Sequence, residues 1–374
     1  MKHNINFYTR KKLNHKFACS MLCKLLIIVF ILQTFLFISC KDDPVTVKPP
    51  SPDDTSSIKD SAMFDWEYVQ LFQYTLTDLY VADTNKIFIV ANGGLIFYDG
   101  KNVTELNIND PQFFADVLAG TSPNNIFIGG SDYHHPANTK LKKWNGASFE
   151  SVGQFLDTTR HILDIIALND NNVWVATASN VVYNCNGTET QYSFISQKLL
   201  VSPQFYQDVI GQLYLFGYNR TSNNTTDFKF YTYKLENNNK WQQILSDSGD
   251  DNSEMRIFLN ICGTNAIRGG STANYNFTGY GWDALQPNLE FKGKVFGGTS
   301  KNDFLCAGNV TTSYFFYKMY YYNGNEWFRM SNYLYAGGVE TPRRICKVKN
   351  NYYGIYTSSE PTNSHLFIAR PKND

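Results

Sequence analysis

Ser122-Pro123-Asn124-Asn125-Ile126-Phe127, continued after a variable stretch by Trp144-Asn145-Gly146, spells out most of the unit from which this chain is built. The full unit has an apolar strand, a tight polar turn, a second strand with a central aromatic and a variable loop. A third strand ending in Asn-Gly or Asp-Gly and an aromatic fourth strand complete it. Second-strand anchors recur at Phe88, Phe127, Trp174, Tyr214, Ile267, Phe304 and Tyr353, with spacings of 39, 47, 40, 53, 37 and 49. A period of about 40–45 residues belongs to four-stranded propeller blades. Asp99-Gly100, Asn145-Gly146, Asn186-Gly187 and Asn323-Gly324 each lie between a pair of strand-like runs, where a two-residue hairpin needs positive φ. Blade four is read with Asn237-Asn238-Asn239 at this place, and blade five with the irregular Gly281-Trp282 and Pro287.

Seven units make the expected fold all-β, a seven-bladed β-propeller over residues 63–374. The last unit runs out of chain after strands near Ile345–Val348, Tyr352–Tyr356 and His365–Ala369. Its missing outer strand is expected from the other end, since Trp66-Glu67-Tyr68-Val69-Gln70-Leu71 has the character of a fourth strand such as Glu326-Trp327-Phe328-Arg329-Met330. Closure by both termini leaves only short, protected edges. Large flat side chains fill the gaps between twisted sheets, which accounts for most of the 28 Phe and 25 Tyr as core.

The units resemble bacterial propeller repeats of the form Ser-x-Asn-Asp-Ile-Phe followed by Tyr-Asn-Gly-x-x-Trp, often found in extracellular lipoproteins. Ser122–Phe127, Ser300-Lys301-Asn302-Asp303-Phe304 and Tyr322-Asn323-Gly324-Asn325-Glu326-Trp327 carry the likeness. A looser likeness to kelch repeats rests on Gly129-Gly130 with Trp144 and Gly269-Gly270 with Tyr280 and Trp282. Such resemblance implies fold far more than function.

Ahead of the repeats, residues 1–39 read as a secretory signal, with Met21 a plausible true start. The charge-free apolar run Leu25 to Ile38 is too short to span a bilayer, and Ser39 precedes Cys40. Phe37-Ile38-Ser39-Cys40 resembles a lipobox, which implies lipidation at Cys40. Lys41-Asp42-Asp43 resembles the export signal of Bacteroidota-type surface lipoproteins, implying an outer-membrane, cell-surface location and a membrane partner through the lipid anchor. Residues 40–62, with Pro44, Pro49, Pro50 and Pro52, lack the apolar content to pack and are expected to form a flexible tether.

Removal of residues 1–39 takes six Lys/Arg and no acid, leaving 27 basic against 33 acidic groups, so nucleic acid is not an expected partner. Cys185, Cys262, Cys306 and Cys346 lie scattered in apolar runs with no CxxC spacing. They read first as small buried hydrophobes and second as disulfide partners.

Strands alternate in direction, so loops after second and fourth strands share one face of the ring, and the remaining turns share the other. The first face collects the long stretches 131–138, 153–161, 193–204, 218–227, 246–254, 271–281, 331–342 and 357–364. Long variable loops on a rigid scaffold are where binding residues lie. Tyr133, His134, His135, Arg220, Tyr275, Tyr280 and Trp282 are the candidate ligand-binding residues, since flat faces beside donors suit a sugar or a protein surface. They compete with the reading that these loops merely cover the ring. His134-His135 beside Asp132 lack further ligands for a metal, and the acidic loop of Asp247, Asp250, Asp251, Asn252 and Glu254 misses the EF-hand spacing, so no metal or cofactor is expected.

No nucleophile elbow, metalloprotease helix or phosphate loop is present in the sequence. The function expected is therefore binding of an extracellular glycan or protein without catalysis. Two alternatives stay open. One is a carbohydrate-active enzyme of the glycoside hydrolase or lyase type, whose carboxylates could be assembled across blades; the other is an accessory subunit of an outer-membrane uptake or secretion complex.

Overall fold

The computed structural model describes residues 58–71, 73–132, 139–156, 161–187, 189–195, 201–220, 227–237, 239–250, 259–262, 265–269, 274–285, 292–309, 318–330, 340–358 and 364–372. Cys40 and Lys41-Asp42-Asp43 lie outside them. Seven antiparallel sheets follow one another along the chain, and the protein is a seven-bladed β-propeller. The innermost strands of the blades are β3 (Leu76–Asp83), β7 (Phe113–Ser122), β11 (Ile162–Asn169), β15 (Val201–Gln207), β19 (Leu259–Cys262), β23 (Lys292–Ser300) and β27 (Glu340–Val348).

The repeat motif can be read physically. Asn85, Asn124 and Asn302, in the turns between first and second strands, lie under Gly100, Gly146 and Gly324, where an added Cβ would come within 2.7–2.9 Å of the Asn side chain. The three glycines also hold φ of 94–96°, so both contact and backbone conformation demand glycine. The next motif residue ties blade to blade. Asn125 Nδ2 donates to Asp170 Oδ1 of blade three at 2.6 Å. Asp303 accepts from Lys347 at 2.6 Å and from the Tyr352 hydroxyl, both of blade seven.

One expectation about these turns needs correction. Tyr98 pairs with Val103, Trp144 with Phe149 and Tyr322 with Trp327, so the loops hold four residues rather than two. The leading Asp or Asn supplies the difference, its side-chain oxygen accepting the backbone N–H groups two and three residues on, as Asn323 does at 3.0 and 2.8 Å. Of the four Asn-Gly and Asp-Gly turns, only the one after Asn186, which pairs with Glu189, keeps the two-residue form.

The second-strand anchors Phe88, Phe127, Trp174, Tyr214, Ile267, Phe304 and Tyr353 are all buried. Successive blades share apolar layers: Phe88 and Val90 of blade one pack with Phe113, Leu118 and Ile126 of blade two, and Trp174 with Phe205 and Leu215 of blade four. Each such side chain contributes about 1.5–3 kcal/mol on full burial.

Closure is by β2 (Phe64–Gln70), paired antiparallel with β29 (His365–Pro371) from Phe64↔Pro371 to Gln70↔His365. The Met63 carbonyl accepts from Lys372 N at 2.9 Å, and Glu67 pairs with Arg370 at 2.7 Å. A further strand departs from expectation. Lys59–Ser61 (β1), read from composition as tether, pairs parallel with β26 (Trp327–Met330) and gives blade six a fifth strand. Asp60 holds the Arg329 guanidinium in a two-pronged pair and Lys59 meets Glu326 at 2.8 Å, so charge partners fix a segment that has little apolar content of its own.

Candidate functional site

The inner strands do not pair evenly with their neighbours. Register shifts fall between Leu76 and Asp78, Ala115 and Val117, Ile162 and Asp164, Val201 and Gln204, Gly293 and Val295, and Pro342 and Arg344. A bulge re-aims the side chain next to it. At this level of the ring three blades contribute polar groups, Asp164, Gln204 and Arg344, to the wall of a central cavity of about 230 Å³, and Asp78 of a fourth blade stands behind Arg344. Leu79, Tyr80, Leu118, Gly120, Ile166, Ala167, Phe205 and Phe296 continue its wall. The ring of Tyr80 lies where a Cβ on Gly120 would be, 2.6 Å away, so that glycine makes room for it.

Two carboxylates of this girdle lock neighbouring blades. Asp78 accepts from its own strand at Leu79 N and from blade two at Leu118 N, both at 2.9 Å. Asp164 accepts from Phe205 N of blade four at 2.6 Å. Arg344 Nε stands 3.6 Å from Asp78 Oδ1. The Arg344 side chain, 40% exposed, lines the cavity. Asp78 foremost, against the cost of burial, holds its guanidinium in the charged form. Burial pushes Asp164 up to about 7, against the opposing pull of Arg344 and the Phe205 N–H.

A second polar cluster lies on the long-loop face between blades two and three. His161, just before β11 and 42% exposed, has Nδ1 3.1 Å from Ser131 Oγ and 3.5 Å from Asp116 Oδ2. Burial raises the Asp116 carboxyl, and His161 opposes that shift. The residue types are those of a hydrolase triad, but both partners meet the same ring nitrogen, whereas a relay needs them on opposite nitrogens. The cluster therefore lacks the geometry of that relay. Beside it Lys140 and Lys142 reach Asp110 at 3.1 and 3.0 Å. Burial works against the Asp110 charge, yet the two ammonium groups hold its carboxyl below the ordinary range.

The residues singled out from sequence are not assembled into one platform. Tyr133, His134 and His135 lie outside the described residues. Arg220 ends β16 (Leu213–Arg220) on the long-loop side, and Tyr275 is half-buried in β21 (Asn274–Phe277). Trp282 opens β22 (Trp282–Ala284) and packs on Phe216 and Phe277, with ring centroids 5.5 and 5.3 Å apart. Tyr280 is 91% exposed, but its loop of four residues joins third and fourth strands. It therefore stands on the tight-turn face, because β21 divides the stretch 271–281 that reads in sequence as one loop. Asp247 and Asp250 belong to β18 (Lys240–Asp250), paired with β17 (Asp227–Glu236), rather than to a loop. Among the described residues no three His, Cys, Asp or Glu groups converge as metal ligands. Cys185 and Cys306 are buried and Cys346 is half-buried.

No protein-family model and no curated protein matches the chain. Solved structures do. YCF48 from Cyanidioschyzon merolae aligns with a TM-score of 0.59 at 14% identity over 82% of this chain and 99% of its own. A structure of YCF48 bound to D1 peptide gives 0.57 at 12%, over 85% and 100%. The extracellular domain of a putative hybrid two component system from B. thetaiotaomicron gives 0.55 at 12%, over 84% of this chain and 40% of that one. At identities this low the likeness establishes the fold alone.

Proposed function

We propose that this chain is a lipid-anchored, surface-exposed propeller that binds an extended segment of an extracellular protein at the long-loop mouth of its channel, without chemistry of its own. The observation that carries the reading is the polar girdle. Asp164, Gln204 and Arg344, each beside a bulge, line an open cavity, with Asp78 behind Arg344, supplying acceptors and donors at the scale of a peptide backbone and its side chains. YCF48, of the same fold, has been solved with a peptide bound. The signal ending at Cys40 and the Lys41-Asp42-Asp43 that follows it support anchorage at the cell surface. A glycan is the other ligand that the sequence allows, and it favours stacked aromatic platforms. Trp282 is engaged in packing and Tyr280 stands on the opposite face, so protein is the better-supported ligand class.

Gln112 is exposed at the head of β7, beside the channel mouth, and Lys101 is exposed in a tight turn. A photo-crosslinker on Gln112→Cys, in cells displaying the full chain, should give a discrete protein adduct that His161→Ala weakens. The same label on Lys101→Cys should give none. No adduct at Gln112→Cys, together with a specific glycan-array signal from the unmodified chain, would overturn the protein-binding reading in favour of a sugar.

A further inference from the structure

Turns between first and second strands are polar in most blades: Asp83-Thr84-Asn85, Pro123-Asn124, Asp170-Asn171, Lys301-Asn302 and Lys349-Asn350. Blade four breaks the pattern with Val209-Ile210, 75% and 85% exposed. The turn cannot fold these side chains inward. Asp208 Oδ1 accepts from Ile210 N at 3.0 Å and Gln212 N at 2.8 Å, Gly211 N donates to the Asp208 carbonyl at 3.0 Å, and Gly211 holds φ at 83°. Tyr280 of blade five stands next to it, since Tyr214 hydrogen-bonds Asp208 and feels Tyr280, and the Tyr214 hydroxyl lies 3.7 Å from a Cβ placed on Gly279. The three most exposed large apolar side chains among the described residues thus share neighbouring turns of the tight-turn face.

What covers this patch is indicated by where the chain arrives. β1 runs parallel to β26, and β26 starts from the tight turn Asn323–Glu326, so the chain reaches the ring from the tight-turn side. Lys59 pairs with Glu326 of that turn at 2.8 Å. Blade six follows blade five, so the arrival point is one blade from Tyr280 and two from Val209-Ile210 on the same face. Only residues 41–57 separate Ile58 from Cys40, a reach of at most about 60 Å. Branched aliphatic groups with a Tyr beside them suit the boundary between headgroups and acyl chains. Nearby Asp208 and Glu236 are balanced by Lys234, 3.2 Å from Glu236, and by Lys240 across the hairpin, which suits a zwitterionic surface.

We propose that Val209, Ile210 and Tyr280 dock the tight-turn face on the phospholipid surface into which the Cys40 lipid inserts, which turns the long-loop mouth outward. This rests on the lipid-anchor reading above. The test uses the full lipidated chain on phosphatidylethanolamine–phosphatidylcholine vesicles, with an environment-sensitive fluorophore on Ile210→Cys or on Gln112→Cys. Labelling of the unmodified chain sets the background from native thiols. Expected is a blue-shifted label at Ile210→Cys, quenched by nitroxide lipids several-fold more than the label at Gln112→Cys. Flotation with equally water-exposed labels at both positions overturns the docking face and leaves the anchor intact. Stronger quenching at Gln112→Cys overturns it by reversing the orientation. Failure of the chain to float at all removes the anchor, and this proposal with it.

Discussion

Asp164 is the residue whose chemistry is most changed by the fold. Its carboxyl titrates near 7 in the folded ring and near 3.8 in the unfolded chain. The native state therefore holds a proton that the unfolded state has released. Asp164 favours folding fully below about pH 4, and that contribution is lost as pH rises from 4 through 7. Asp164→Asn keeps an oxygen for the Phe205 N–H and has no proton to lose. Its melting temperature should vary less than that of the parent across pH 4–7, measured by circular dichroism at matched ionic strength; an unchanged slope would place the titration elsewhere. Asp78 should act mainly through hydrogen bonds. Asp78→Ala leaves Leu79 N and Leu118 N without their acceptor and Arg344 without its nearest partner, and should cost about 2–4 kcal/mol in denaturant unfolding. Asp78→Asn, which retains one acceptor, should cost less. Neither residue is marked in the sequence by anything beyond a polar side chain inside an apolar strand.

At the scale of elements, the two N-terminal strands make opposite predictions. β2 supplies Phe64, buried and edge-on to Tyr321 and Tyr352, and Trp66 against Phe367. Deleting residues 58–70 exposes these partners and the unpaired edge of β29, and should abolish cooperative unfolding and promote association. β1 adds a surface strand held by ion pairs and by Ile58, just ahead of it, packed on the edge of the blade-six core. Deleting residues 58–61 alone should leave a cooperative transition with a slightly lower midpoint, and high salt should narrow the difference. The sequence made β2 legible through its Trp and Tyr at fourth-strand spacing. It hid β1, because three residues with two charges carry no apolar period, and their pairing depends on Glu326 and Arg329 far along the chain.

Across the whole molecule, closure is a matter of topology, and topology can be rewritten. The Met63 carbonyl and Lys372 N are bonded at 2.9 Å, so a short turn can join them into a hairpin. A circular permutant that links Lys372 to Met63 and opens between Leu71 and Tyr74 would build blade seven from one local segment. We expect it to fold with a melting temperature at or above that of the parent, since its two strands no longer have to meet across the chain. A marked loss would mean that β1, displaced by the new linkage, matters more to the ring than its ion pairs suggest.

The sequence by itself determined the blades. Buried aromatics such as Phe127, Phe304 and Tyr353 recur at the blade period, turns announce themselves by Asn, Asp and Gly, and the last blade visibly lacks a strand that Trp66 and its neighbours supply. These are local signals, and each blade satisfies them largely within its own stretch of chain. The make-up of the polar girdle was decided only in three dimensions. Asp78, Asp164, Gln204 and Arg344 come from four blades, and single-residue bulges choose the face that each presents. A slip of one residue in a strand exchanges inside for outside. Tyr280 likewise changed faces because one short strand divides what reads as a single loop.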